Sequence, residues 1–432
     1  MWSRRTDFLE TQRGQAWAWR YRQRRCVHLE VDGCLESKTS SSDASRAQFQ
    51  KEIAQQMLRQ GRHRAFRVPV ILQMDFDPAL DSPPPAIYSL AKHYLDLLQE
   101  PMASSRLQGA RILLADDRLV KLLICNYHLH GSGRGVRIRV ATLNDFVLNL
   151  ELYERIINGN FSDGSRHYGD KDRSKRLYSN PDDAIDDYQD HLAKRETYFA
   201  EGRGEMWERF HLMNKRRLQE KFLKDHQPSP DQLASVFRRS RFGKSRLRKF
   251  DELLNAASRN LLMQALVSID LGTPAAKSGE TKVFKNSVHQ ALAALRKKRH
   301  YMFPLLTTAG VTIIHVPAKK SQGIDLDNLA RKIIPLVHAE LNPPATLLHA
   351  LTPLEREGAD DPFFERELAA LKRVPKDHVT RYQVLELPRT ARDAEAGSVR
   401  LVLHSGTREG SGPWDDCDKV IREWESDLGR GY

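Results

Sequence analysis

Short β-branched runs alternate along the chain with stretches whose apolar positions recur at helical spacing, the two periodicities that strands and helices impose. VTIIHV (Val311 to Val316) reads as a strand, and the LARKIIPLVHAEL that follows it reads as a helix interrupted by Pro335. The same alternation occurs twice. VHLEVDGCLESK, FQKEIAQQMLRQGRH and PVILQMDFD (Val27 to Asp77) run parallel to ALVSIDLGTPAAK, FKNSVHQALAALRKKRH and GVTIIHVPAKK (Ala265 to Lys320). Each set predicts a strand, a polar loop with a lysine (Lys38, Lys277), a helix ending in Arg-His, and a strand. IYSLAKHYLDLL then takes the place of LDNLARKIIPLV, and each copy closes on two strands joined by a Gly-containing turn, GSGRG (Gly131 to Gly135) in the first. The expected fold is α+β: two tandem units, each a small mixed sheet with helices, forming a covalent pseudo-dimer.

These patterns divide the chain into a basic arm (1–26), a first unit (27–150), a helical, basic insertion (151–258), a second unit (259–408) and a C-terminal tail (409–432). The insertion opens on an acidic cluster, PDDAIDDYQD, continues with Lys/Arg-rich helical spacing, and meets the breaker PSP at Pro228 to Pro230.

Charge sharpens the picture. The 432 residues carry a formal +13, and it is concentrated. Seven arginines face only Asp7 and Glu10 in residues 1–25, and fourteen Lys/Arg face five Asp/Glu between Arg203 and Lys249. Such clustering is the footprint of a polyanion binder, and the expected partner is nucleic acid. Arg238, Arg239, Arg241, Lys244, Arg246, Arg248 and Lys249 surround Phe242, a ring able to stack on a base, and form the expected nucleic-acid contact. No apolar stretch has membrane-spanning length and MWSRRTDFLE has no apolar secretion core, so the expectation is a cytoplasmic protein without a membrane partner. Cys26, Cys34, Cys125 and Cys417 lack metal or disulfide spacing.

Candidate chemistry centres on GIDLDNLARK (Gly323 to Lys332), where Asp325 and Asp327 lie at a loop-to-helix junction. In extended backbone, residues two apart point the same way, so both carboxylates can face one point. The plainer reading makes Asp327 the helix N-cap, with Asn328 beside it.

DLDNLAR (Asp325 to Arg331), together with LADDRLV (Leu114 to Val120) ahead of the first hairpin, resembles the RusA family of Holliday-junction resolvases. That resemblance implies Mg²⁺, or Mn²⁺ in its place, held by three aspartates in an endonuclease for branched or structured DNA in repair and recombination. The expected site lies in the second unit: Asp325 and Asp327 with Asp377 as third metal ligand, Asp360 or Asp361 as its substitute, and Arg331 or Lys332 as the cation. In the first unit AIYSLAK keeps Lys92 but has Ala86 and Tyr88 where the aspartates belong, so Asp116, Asp117 and Lys92 mark a degenerate site. The alternatives are a catalytically inactive DNA-binding protein on the same fold, and an RNA-binding or assembly protein whose aspartates are caps. A further homodimer of the pseudo-dimer is the expected higher assembly.

Overall fold

The computed structural model describes residues 8–33, 35–78, 84–105, 111–128, 135–159, 181–224, 228–230, 232–234, 236–237, 267–274, 281–319, 324–341, 379–389, 393–406 and 412–430. Eight strands are β1 (Val27–Asp32), β2 (Val70–Asp77), β3 (Val120–Tyr127), β4 (Gly135–Thr142), β5 (Ser268–Gly272), β6 (Ala309–Val316), β7 (Val379–Glu386) and β8 (Ser398–Ser405). The helices named among the described residues are α1 (Gln12–Arg25), α2 (Asp43–Arg59), α3 (Ile87–Leu97), α4 (Leu143–Ile157), α5 (Pro181–Ala193), α6 (Arg195–Ala200), α7 (Gly204–Lys224), α8 (Thr281–Lys298), α9 (Leu326–Leu341) and α10 (Pro413–Arg430). None is long and apolar enough to cross a membrane.

The strands form one mixed sheet in the order β1-β4-β2-β3-β7-β6-β8-β5. Within the first four, β2 runs parallel to β3 and β4 antiparallel to β1 and β2; within the last four, β6 runs parallel to β7 and β8 antiparallel to β5 and β6. The two halves therefore share one order and one set of strand senses. Both parallel pairs also slip register near their start, between Val70 and Ile71 and between Ala309 and Gly310. The halves meet where β3 pairs antiparallel with β7, with Leu122 opposite Leu385, Ile124 opposite Gln383, and Asn126 opposite Arg381. Such a parallel pair needs a long crossover, which a helix supplies: α3 lies between β2 and β3, and α9 between β6 and β7.

Alternate side chains along each strand enter different cores, as the pleat requires. On one face Leu72, Met74, Leu123, Cys125, Ile313, Tyr382, Val384 and Leu401 pack with α2, α3, α8 and α9. Phe49 of α2 and Phe284 of α8, in the first helix of either half, are both buried there. On the other face Ile71, Leu122, Ile124, Ile314, Leu385 and Val402 meet α1, α4 and α10. The described part of the 151–258 segment is split between the layers: Leu233, Ala234, Val236 and Phe237 pack in the second core, while α7 joins the first, where Gln219 donates to the carbonyls of Met302 (2.6 Å) and Pro304 (2.7 Å) and accepts from the Leu306 amide (2.7 Å).

Two sequence boundaries shift. Residue 150 falls inside α4, whose stripe Phe146, Leu150, Tyr153 is continuous across it. The expected C-terminal tail contains α10, a helix that buries Trp414, Cys417, Ile421 and Trp424 against the sheet. The Gly/Ser-rich run ahead of it drew the tail reading, while its helical spacing of apolar residues sets its fate. The basic arm is largely α1, docked through Ala16 and Trp19.

Candidate functional site

Helix α9 forms because Leu326, Leu329, Ala330, Ile333, Ile334 and Val337 make an apolar stripe that buries against the sheet. The helix begins at Leu326, two residues earlier than a cap at Asp327 requires. The Asp325 carbonyl accepts the Leu329 amide (3.2 Å), and its carboxylate accepts from Asn328 Nδ2 (2.9 Å). Asp327 is thus not the N-cap but a buried residue of the first turn, 2% exposed. Carboxylates are favoured in a first turn, where the amides are unsatisfied and the helix dipole is positive.

The first half supplies the other groups. Helix α3 packs beside α9 above the β3–β7 seam and carries Lys92. Lys92 Nζ stands 3.0 Å from Asp327 Oδ2, 2.9 Å from Asp96 Oδ1 and 3.9 Å from Asp117 Oδ2. Asp117 opens a 3₁₀ turn (Asp117–Leu119) that leads into β3, and Asp116 caps that turn by accepting the Arg118 amide (2.9 Å). Arg118 Nε reaches Asp116 at 3.6 Å and Asp325 at 3.8 Å. The cluster therefore contains Asp325 and Asp327 from one half, and Lys92, Asp117 and Arg118 from the other.

Its electrostatics follow from crowding. Burial, then the charges of Asp325 and Asp327, push the Asp117 carboxyl up to about 6 against the pull of Lys92. Burial also raises Asp327, with Lys92 opposing and Asp325 adding to the rise. For Lys92 burial works the other way, yet the Asp327 charge and the contacts to Asp96 and Asp327 hold its ammonium above the ordinary lysine range. Asp327 Oδ2 has no aligned hydrogen-bond donor: the ammonium is close but off-line, so its compensation is charge rather than a directed bond. Beneath lie Cys125 of β3 and Tyr382 of β7, opposite one another across the seam, fully buried, and both held neutral first by burial.

The expected residues are redistributed. Asp325 and Asp327 are brought together, and they share their surroundings with Asp117 and Lys92, which the RusA resemblance places in a separate, degenerate site. The cation beside them is Lys92; Arg331 is exposed and Lys332 half-buried, and neither is in ion-pair contact with an aspartate among the described residues. The reason is the seam: pairing β3 with β7 lays α3 beside α9, a long-range proximity that no local spacing encodes. One signal was available. The first unit keeps the lysine and the Asp-Asp pair while the second keeps the DLDN motif, and these losses are complementary. Asp377, Asp360, Asp361 and the Arg238, Arg239, Arg241, Phe242, Lys244, Arg246, Arg248, Lys249 cluster lie outside the described residues, as do Lys277 and the 131–134 turn. Among the described residues no three His, Cys, Asp or Glu side chains stand as a ready metal cage. No family model matches the chain, and no curated protein or solved structure matches it either.

Proposed function

We propose that the chain is a RusA-like endonuclease for branched or structured DNA, built from two tandem units that share one composite site. The observation that carries this reading is the 3.0 Å approach of Lys92 Nζ to Asp327 Oδ2 across the seam, which unites the lysine and Asp-Asp loop of one half with the aspartate pair of the other. The donor chemistry suits a divalent cation: three carboxylates supply hard oxygen ligands, and burial followed by the charges of Asp325 and Asp327 raises Asp117, a cost that a bound cation would offset. Asp325, Asp327 and Asp117 would hold Mg²⁺ or Mn²⁺, with Asp377 a further candidate. When bound, the cation supplies Lewis-acid activation of water and of the scissile phosphate. Lys92 then contributes positive charge toward a phosphorane-like transition state, and Asp96 orients its ammonium. With Ala86 and Tyr88 in the counterpart positions, the second possible site lacks its aspartates, so each chain cuts one strand. A symmetric two-strand cut requires a second copy.

The test is cleavage of a four-way junction, a flap and a duplex with Mg²⁺ or Mn²⁺. Wild type nicks at least one; Lys92→Gln, Asp117→Asn and Asp327→Asn each lose cleavage by two or more orders of magnitude and keep binding. A second reading, a DNA-binding protein on this fold without catalysis, is favoured by the absence of a ready three-ligand cage among the described residues and by an ammonium already seated between the carboxylates. It prevails if wild type binds these substrates and cuts none.

A further inference from the structure

The composite site occupies the α3–α9 face of the sheet; helix α1 lies on the other face and presents a different surface. Its inner side is fixed by Ala16 and Trp19, and by Arg22, whose Nε donates to Asn149 Oδ1 at 2.6 Å. Its outer side carries Trp17 and Tyr21, one turn apart and 50% and 52% exposed. Their rings are parallel to within 11°, with centroids 5.8 Å apart, and the Arg25 guanidinium stands 5.8 Å from the Tyr21 ring centre.

Further basic residues lie at the C-terminal end of α1. Arg62, in the loop after α2, donates to the Arg25 carbonyl (3.5 Å), so the GRHRAFR segment (61–67) borders the C-terminal end of α1. That segment adds exposed His63, Arg64 and Arg67 to exposed Arg24. Two neighbouring acids are already engaged: Asp145 with Arg25 at 3.7 Å, and Glu425 in contact with Arg20. Arg24, Arg64 and Arg67 have no ion-pair partner among the described residues.

We infer that this face of α1, with the 61–67 loop, is a binding surface for single-stranded nucleic acid. Unpaired bases continue the Trp17–Tyr21 stack, and phosphates run along Arg24, Arg64 and Arg67. Each element answers to a different part of the ligand: the half-exposed Trp17 ring, on its face away from Tyr21, matches a base face, and the unpaired guanidinium groups match the backbone. A duplex is a poor fit because its base faces are already covered by neighbouring pairs. A lipid surface is also a poor fit, because the apolar stripe that would enter it is buried in the protein and the exposed rings are interspersed with arginines. The surface is distinct from the composite site and does not depend on catalysis there.

The experiment uses the full chain and a fluorescein-labelled twenty-residue oligo(dT), with anisotropy read at several salt concentrations. Wild type binds, and adding unlabelled oligo(dT) quenches the fluorescence that Trp17→Phe removes. Trp17→Ala with Tyr21→Ala weakens binding roughly tenfold or more, each lost stacking partner being worth about that factor, whereas Trp17→Phe with Tyr21→Phe retains it. Arg24→Ala, Arg64→Ala and Arg67→Ala together reduce the salt slope by about 2. Lys92→Gln leaves all of this unchanged even where it abolishes cleavage. These side chains are exposed, and circular dichroism and melting verify that each variant is folded. The inference is overturned if wild type does not bind the oligonucleotide at low salt, or if folded Trp17→Ala/Tyr21→Ala binds it as wild type does. It is also overturned if that variant loses only binding to vesicles of anionic phospholipid.

Discussion

Lys92 and Asp327, each on the helix that links the two parallel strands of its half, face one another across the β3–β7 seam with Nζ 3.0 Å from Oδ2. Asp327 is 1% exposed at its side chain and Lys92 19%. The pair thus acts as a clasp between halves as well as the centre of the candidate site, and the two roles separate by experiment.

Removing one partner of a buried pair leaves the other charge without compensation. Lys92→Met is expected to lower unfolding free energy by roughly 3 kcal/mol, at the low end for buried pairs because Asp327 can take up a proton. The Lys92→Met/Asp327→Asn double variant recovers most of that loss, a non-additivity read by a urea-unfolding cycle. Additive losses would mean the pair does not act as a clasp.

Asp117 gives a pH dependence of definite sign. Its carboxyl rises from an ordinary value of 3.8 to about 6 in the folded chain. Between those values the folded state binds more protons than the unfolded state, so this group's contribution to stability is present at low pH and is lost as pH climbs to about 6. Burial of His211 and His315 lowers their pKa and adds stability as pH rises, so the Asp117 contribution is read as a difference: from pH 4 to pH 7 the urea midpoint of wild type should rise less, or fall more, than that of Asp117→Asn. Identical slopes for the two proteins would remove Asp117 as the cause.

Helix α10 is held by its tryptophans. Trp414 is 1% exposed, with the Arg139 guanidinium 3.9 Å from its ring centre, and Trp424 is 2% exposed. Trp414→Ala should cost about 3–5 kcal/mol by deleting a buried aromatic, while a freely solvated tail would show no change in midpoint.

If the proposed DNA-directed function holds, the basic arm and the central basic segment are the expected sources of general DNA affinity. Replacing Arg238, Arg239, Arg241 and Lys244 with Ala should weaken binding across sequences and flatten its dependence on salt, because each lost phosphate contact releases fewer counterions. Affinity and slope both equal to wild type would move the footprint elsewhere.

The sequence by itself determined the local elements and their order. The β-branched runs became β1, β2 and β6, the stripe LARKIIPLV became α9, and Phe49 and Phe284 reached the cores their spacing indicated, because each depends on which residues lie within a turn or a strand of one another. It also marked Asp325, Asp327, Asp117 and Lys92 individually. Tertiary structure alone decided how they combine. The pairing of β3 with β7 is a contact between residues distant along the chain, and it places Lys92 and Asp117 of one half, rather than Arg331, beside the aspartates of the other. The same holds for α1 and α10: arginine-rich composition suggests an arm for the first and a Gly/Ser-rich run suggests a tail for the second, and the sheet's second apolar face, which needs covering helices to exclude water, docked both.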